Sequence, residues 1–242
     1  MLKGDAIDLP DNVIRKILNF AELRKSDVFY HLGCGDGRAV EIAAREFKVK
    51  RSVGIEIEKS RAEQARKQLA RIASAKIITE DMLKTDISKA TVILFWFTEP
   101  DLVDKMKRRF KKDLRKGARV VTIWAPIGLS LPDKVEFPFF MSKLPFRRAR
   151  SIRHQIKAIY GNDCIDFTAA WLLAEHYIDA LEVVPGDYRR FVNMLQGMVI
   201  WINAWNMGVT CEKEIPPPVE TYVGILKTFF NIDLSGMIAE KE

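Results

Sequence analysis

Cysteines and long apolar runs are scarce in this chain, and each scarcity excludes a class of protein. Only three cysteines occur among 242 residues. They form neither a C-x-x-C metal pair nor a disulfide framework, so we expect no metal site and interpret Cys164 and Cys211 as small buried residues. The longest apolar stretch, residues 191–209, is interrupted by asparagine and glutamine, and the chain start lacks the apolar core of a signal peptide. These features predict a cytoplasmic protein without a membrane span.

Charge is divided unevenly along the chain. Residues 1–160 contain 34 Lys and Arg against 20 Asp and Glu, a net charge of +14, whereas residues 161–242 contain 5 against 12, a net charge of −7. We place a domain boundary at this change, with one domain at 1–160 and a second at 161–242. The basic segments 105–119 and 147–153 could contact nucleic acid. Alternatively, the acidic domain neutralises the basic one, within the chain or in a homo-oligomer formed through residues 161–242.

Strand-like and helix-like segments alternate through the first domain. Apolar runs at 27–32, 51–57, 76–79, 91–97 and 118–124 predict strands with helices between them, which favours an α/β fold with a parallel sheet. Residues 135–141 and 151–160 read as extended, with apolar and polar side chains alternating in the second segment, and predict an antiparallel pair at the end of the sheet. Residues 161–242 carry apolar and aromatic residues at helical spacing, which predicts a small all-helical domain.

The end of the first predicted strand carries the most informative motif. Residues 32–38 read Leu-Gly-Cys-Gly-Asp-Gly-Arg, and the second predicted strand ends near Glu56. Glycines let the backbone turn sharply and approach a ligand closely, and an acid closing the neighbouring strand is placed to accept hydrogen bonds from ribose hydroxyls. A dinucleotide site would have a small residue where Arg38 stands. The spacing therefore favours a different nucleoside ligand.

These residues, together with segments 53–56, 86–92 and 114–121, resemble the archaeal-type, Dot1-like class I methyltransferases, a group that includes protein lysine methyltransferases. The resemblance covers residues 10–125 and implies a Rossmann-like methyltransferase sheet that binds S-adenosyl-L-methionine (SAM). It implies that loop amides face the methionyl part of SAM, that Glu56 holds the ribose, and that Asp81 contacts the adenine amino group. His31 stands where the family usually has an acid. The implied cofactor-binding residues are His31, Gly33, Cys34, Gly35, Gly37, Glu56, Ile57, Asp81 and Met82.

By the same resemblance, the end of the fourth strand faces the transferring methyl group. We expect Phe95, Thr98 and Glu99 to serve the acceptor, with aromatic surface lowering the pKa of an entering lysine and Glu99 attracting its ammonium. Methyl transfer depends on alignment more than on acid–base groups. The alternative interpretation is that two of the three aromatics at 95–97 belong to the core.

Two hypotheses for function remain at this stage. The first is a SAM-dependent methyltransferase acting on lysine side chains of a protein substrate. Base methylation is disfavoured, because residues 98–100 read Thr-Glu-Pro rather than a D/N-P-P-Y/F turn and no cysteine lies nearby. The second is a catalytically degenerate methyltransferase fold that acts as a scaffold through its helical domain, since His31 departs from the family pattern.

Overall fold

The computed structural model describes residues 9–239, and the chain divides into two compact units, the first ending at Arg148 and the second beginning at Ala149. The first unit contains four helices and nine strands within its described residues. The helices are α1 (Asp11–Phe20), α2 (Arg38–Arg45), α3 (Lys59–Leu69) and α4 (Pro100–Asp113). The strands are β1 (Val28–Leu32), β2 (Arg51–Glu56), β3 (Ala75–Thr79), β4 (Val92–Phe95), β5 (Arg119–Ile123), β6 (Ser130–Leu131), β7 (Lys134–Glu136), β8 (Phe139–Lys143) and β9 (Arg147–Arg148).

Seven of these strands form one sheet in the order β3-β2-β1-β4-β5-β8-β7. Strands β1 to β5 pair in parallel, and β8 pairs antiparallel with both β5 and β7. The order reverses direction between β1 and β4, which is the topological switch point where open α/β sheets bind ligands. The predicted Rossmann-like sheet with a closing antiparallel pair is confirmed.

The composition of that closing pair differs from the prediction. The hairpin β7–β8 supplies both strands, and residues 151–160 instead form helix α5 (Ile152–Tyr160) of the second unit. The Ser151 hydroxyl accepts a hydrogen bond from the His154 amide at the start of α5, and Gly161 ends the helix at φ +83°. These are strong helix-end signals. The polar and apolar alternation that predicted a strand was coincidental, because the capping residues decide the local structure.

A buried ion pair fixes the entry to β1 against β5. Arg119 is 8% exposed, and its guanidinium donates to Asp27 at 2.6 Å and to two carbonyls of the turn after α1. The Thr91 hydroxyl donates to the other Asp27 oxygen at 2.7 Å. Burial by itself raises the pKa of Asp27, but hydrogen bonds from Arg119, Thr91 and the Arg24 amide lower it overall. The prediction that Arg119 contributes to a basic surface is therefore wrong.

The second unit is helical, as predicted. After α5 it contains α6 (Phe167–Leu181), α7 (Arg189–Asn206) and α8 (Pro217–Phe230), with short 3-10 turns at Gly186–Tyr188 and Ser235–Met237. From the sequence we also expect a short final helix over residues 234–241. The structure has only the second of these turns there, and residues 240 and 241 lie outside the described residues. Within residues 9–239, no helix combines the length and apolarity that crossing a bilayer requires.

Cys164 and Cys211 form a disulfide between the segment that precedes α6 and the loop that follows α7. The prediction that both are unpaired buried residues is wrong. The two cysteines are 47 residues apart in the sequence, so no local pattern indicates that they pair. The pairing depends on the packing of α6 against α7. Stable disulfides are uncommon in reducing compartments. The cysteine content therefore no longer supports a cytoplasmic location.

Candidate active site

The glycine loop leaves β1 at the switch point in a backbone conformation that few other residues adopt. Gly33, Gly35 and Gly37 have φ values of +73°, +55° and +83°. The expected free amides are not present, however: the amides of Gly33 and Cys34 both donate to the Ile55 carbonyl, at 2.8 and 3.0 Å. These hydrogen bonds hold the loop against β2. Its contribution to a site is that its backbone, which lacks side chains at the glycines, lets a ligand approach closely.

Two side chains that the sequence did not single out for this position lie against the loop. A Cβ added to Gly33 would lie 2.6 Å from the Phe97 ring, and one added to Gly35 would lie 2.8 Å from an Arg61 nitrogen. Phe97 follows β4, and Arg61 lies in the first turn of α3. Only Phe97 had a signal in the sequence, since it belongs to the aromatic run. The loop is therefore covered by groups from both neighbouring elements.

Glu56 ends β2 beside this loop with its carboxylate oriented by two backbone amides. One oxygen accepts from the Gly35 amide and the other from the Glu58 amide, both at 2.9 Å. The residue is only 7% exposed. Each carboxylate oxygen retains capacity for a further hydrogen bond. The next residue, Ile57, is 69% exposed, which places an apolar surface beside an acceptor suited to a diol.

His31 occupies the centre of the switch point, between Gly54 on β2 and Leu94 on β4. Its Nδ1 atom is buried and has no hydrogen-bond partner among residues 9–239. Burial lowers the pKa of His31 to about 4, although the charge of Asp36 acts in the opposite direction. Asp36 is itself paired with Arg38 at 2.8 Å. His31 is therefore a neutral side chain with an unsatisfied buried nitrogen.

Cys34 contributes backbone rather than thiol chemistry. Its sulfur lies 2.5 Å from the position that a Cβ on Gly54 would occupy, so the side chain packs onto β2. Burial, reinforced by the Glu56 charge, raises the pKa of the thiol to about 12. A thiol that resists ionisation in this way is not a nucleophile.

The loop after β3 holds Asp81 and Met82 half-buried. The Asp81 carboxylate accepts from the Leu83 amide at 2.8 Å, and the Met82 carbonyl accepts from Arg109 at 2.6 Å. Arg109 is held in turn by Asp113 at 2.7 Å. Arg109 belongs to the basic run 105–119, but its side chain orients this loop.

The acceptor side begins where β4 ends. Phe95 is 1% exposed and packs edge-to-face against Phe110 with ring centroids 5.6 Å apart, so it lies in the core and supports Phe97 at 5.2 Å. Trp96, Phe97 and Thr98 are half-buried and Glu99 is exposed. A Glu99 oxygen accepts from the Thr98 amide at 3.2 Å. Of the three aromatics, Phe95 alone is fully buried, and Phe97 packs against both the core and Gly33 of the loop.

These features fit SAM. The positive-φ glycine loop, the amide-oriented Glu56 carboxylate and the unsatisfied His31 nitrogen lie at the carboxyl ends of adjacent strands. A model of the ANTKMT methyltransferase domain matches residues 31–134. Fold and site together define a class I SAM-dependent methyltransferase.

The chain is 34% identical to a protein-lysine N-methyltransferase from Saccharolobus islandicus over 119 residues, which are 48% of this chain and 73% of that protein. The chain belongs to this protein-lysine N-methyltransferase family. It is also similar to the crystal structure of an RNA methyltransferase from Salinibacter ruber in complex with S-adenosyl-L-homocysteine, with 30% identity and a TM-score of 0.53. That alignment covers 57% of this chain and 94% of the other. Both similarities favour the enzyme hypothesis over the non-catalytic scaffold.

Proposed function

We propose that this methyltransferase transfers the methyl group of SAM to the ε-amino group of lysine side chains in proteins. The observation that carries the proposal is the arrangement of the ends of the adjacent strands β2, β1 and β4, which form a rim at the switch point. Glu56, His31 and the segment 96–99 lie along this rim in that order. The protein-lysine relative supports the same acceptor.

We assign the cofactor-facing roles to residues of this rim. Glu56 accepts hydrogen bonds from the two ribose hydroxyls, using the capacity that its two amide contacts leave open. The neutral Nδ1 of His31 accepts a hydrogen bond from the cofactor's ammonium group, which satisfies an otherwise unpaired buried atom. Ile57 and the Asp81–Met82 loop surround the adenine. Gly33, Cys34, Gly35 and Gly37 form the floor of the site.

SAM supplies an electrophilic methyl group on a sulfonium sulfur. In the transfer, a nitrogen–carbon bond forms as the sulfur–carbon bond breaks, and the lysine nitrogen must first lose a proton. Half-buried Trp96 and Phe97 provide an apolar wall that lowers the pKa of the entering ammonium, and the released proton passes to water. Exposed Glu99 attracts the cationic side chain and Thr98 lines the entrance. Phe95 supports the wall from the core.

Transfer of tritiated methyl groups into a cell lysate tests this assignment. We expect the label to resist nuclease, to be removed by protease, and to appear as methylated lysine after acid hydrolysis. Glu56→Ala should abolish labelling, and Glu58→Ala should not, because the exposed Glu58 side chain bonds only to Ser60 among described contacts. If ribonuclease removes the label and protease does not, the acceptor is RNA and the lysine assignment is wrong.

RNA is the second candidate acceptor, and the similarity to the Salinibacter ruber enzyme favours it. The exposed side of α4 carries Lys105, Arg108, Lys111 and Lys112. The pKa of Lys107 is lowered by burial and by the neighbouring charges of Lys111 and Arg148, so the two predicted basic segments adjoin there. Reversing the charge of Lys111 and Lys112 should weaken RNA binding and reduce its salt dependence. Unchanged binding would exclude this surface.

Two further proposals concern the state of the protein. We propose that residues 161–242 support a homo-oligomer, which light scattering on the purified chain tests directly.

We also retain the cytoplasm as a proposed location, although the Cys164–Cys211 disulfide argues for a less reducing compartment. Fractionation with a tagged chain decides between these locations.

A further inference from the structure

The second unit has an open cavity of about 660 Å³ between α6, α7 and α8, with one side facing solvent. Its walls are largely aromatic and aliphatic, formed by Trp171, Phe191, Met194, Tyr222, Ile225 and Phe230. None of these residues takes part in the methyl-transfer site, which belongs to the first unit. The cavity therefore has no role in the chemistry described above.

The aromatic walls are held in defined orientations. The rings of Trp171 and Tyr222 are nearly parallel, with an interplanar angle of 25° and centroids 6.0 Å apart. Phe191 and Phe230 pack together with centroids 4.9 Å apart. Gly197 on α7 brings that helix close to α6, since a Cβ added there would lie 3.5 Å from the Trp171 backbone. These ring contacts restrict the orientations of the aromatic side chains that line the cavity.

Two polar groups in the cavity are hydrogen-bond acceptors. Glu175 lies one turn after Trp171, and its carboxylate accepts from the Trp171 indole N–H at 3.0 Å, which leaves its second oxygen with capacity for a donor. Asn193 is 3% exposed, and its Oδ1 atom is buried without a hydrogen-bond partner in the described chain. Buried acceptors without donors are costly. A ligand that brings N–H groups would satisfy both residues.

We propose that this cavity binds the cationic side chain of lysine or of a methylated lysine in a polypeptide. An ammonium group is attracted by the faces of tryptophan and tyrosine, which is how aromatic cages recognise methylated lysine. Glu175 supplies the compensating charge, and Met194 and Ile225 pack against the aliphatic stem. Asn193 accepts a hydrogen bond from an N–H of lysine or dimethyl-lysine, which trimethyl-lysine lacks. That the ligand is a substrate or a product of this enzyme rests on the proposed function. That the cavity selects a cation is independent of it.

Two arginines beside the cavity bear on whether it binds a cationic or an anionic ligand. Arg189 is paired with Asp179. Arg190 also lines the cavity and is exposed at its surface. Its positive charge opposes a cationic ligand and would favour an anionic one. Removing that charge therefore has opposite effects on the two classes of ligand.

The experiment measures binding of short fluorescent peptides to the full chain without SAM. The peptides share one sequence and carry lysine, dimethyl-lysine, trimethyl-lysine, norleucine or glutamate at one position. We expect the three cationic peptides to bind at least about tenfold more tightly than norleucine, the scale of one strong cation–π contact. The ranking among the three separates substrate from product recognition.

Variants then locate the site. Glu175→Gln and Tyr222→Ala should each weaken binding of the cationic peptides several-fold, and Arg190→Gln should strengthen it. Glu220→Gln, an exposed carboxylate of α8 outside the cavity, is the matched control and should change nothing. Circular dichroism of each variant excludes unfolding as the cause of a loss.

Equal binding of norleucine and lysine peptides, tighter binding of the glutamate peptide, or weaker lysine binding by Arg190→Gln would each overturn the proposal, as would no binding at millimolar concentration. Failure here and failure of the proposed function are distinguishable. Methyl transfer to lysine without selective peptide binding refutes the cavity alone. Selective binding that Glu175→Gln weakens, in a chain that labels no lysine, refutes the proposed acceptor alone.

Discussion

Glu56→Ala is the perturbation whose effect on cofactor binding the structure predicts most directly. The carboxylate is 7% exposed and is already oriented by the amides of Gly35 and Glu58, so little entropy is lost when it accepts two ribose hydroxyls. Hydrogen bonds to a charged group contribute about 1.5–3 kcal/mol each, so losing two costs about 3–6 kcal/mol. This corresponds to a roughly 100- to 20,000-fold increase in the Kd for SAM.

Titration calorimetry with SAM and with S-adenosyl-L-homocysteine measures this change. Glu56→Gln should lie between the wild type and Glu56→Ala, because the amide accepts at one position only and carries no charge. Glu58→Ala is the control and should bind like the wild type. The alanine variant also leaves the Gly35 and Glu58 amides without acceptors, so urea unfolding must show that it remains folded. A folded Glu56→Ala chain that binds SAM within threefold of the wild type would refute the site.

Three other predictions follow from buried groups. His31 is neutral down to about pH 4, so SAM affinity should be equal at pH 5.5 and pH 7.5; a tenfold loss at pH 5.5 that His31→Ala removes would mean that the imidazole titrates. Because the pKa of Asp27 is lowered in the folded state, its contribution is present above the unfolded pKa and lost as pH falls through the folded pKa. Asp27→Asn, which leaves Arg119 buried without its charged partner, should cost about 3–5 kcal/mol of unfolding free energy near pH 7. The urea-measured difference from the wild type should shrink below pH 4, and a difference independent of pH would contradict the ion-pair assignment. Cys164→Ser should lower the stability of the second unit by about 4 kcal/mol, the loop-entropy value for a separation of 47 residues. Alkylation of the denatured, unreduced wild type should modify one cysteine, and modification of all three would show that the Cys164–Cys211 bond is absent.

Local patterns predicted the main sheet correctly. Each of the five parallel strands lies within two residues of its predicted ends, because a buried strand needs a continuous apolar run bounded by turn residues. The glycine triplet and Glu56 were found for a similar reason. A positive φ at Gly33, Gly35 and Gly37 restricts the residue type, so the requirement is visible in the sequence itself.

Charge runs were less informative than apolar runs. Residues 105–119 read as one basic surface, but Arg109 orients the Asp81–Met82 loop and Arg119 is buried against Asp27. The sequence shows that a residue is charged, but its partner is chosen by packing. Asp27, the charged partner of Arg119, lies 92 positions away in the sequence, beyond the reach of any local pattern.

The amino-acid sequence by itself therefore determined the parallel sheet, the position of the glycine loop and the acid that closes β2, since each follows from the conformational limits of neighbouring residues. Tertiary structure alone decided that His31 lies neutral with an unsatisfied nitrogen, that Phe97 and Arg61 cover the glycines, and that Cys164 meets Cys211. It also created the aromatic cavity of the second unit. Each of these features forms only where segments distant in the sequence pack together. The free energies of burial and of pairing depend on both segments, so neither segment's sequence reveals them alone.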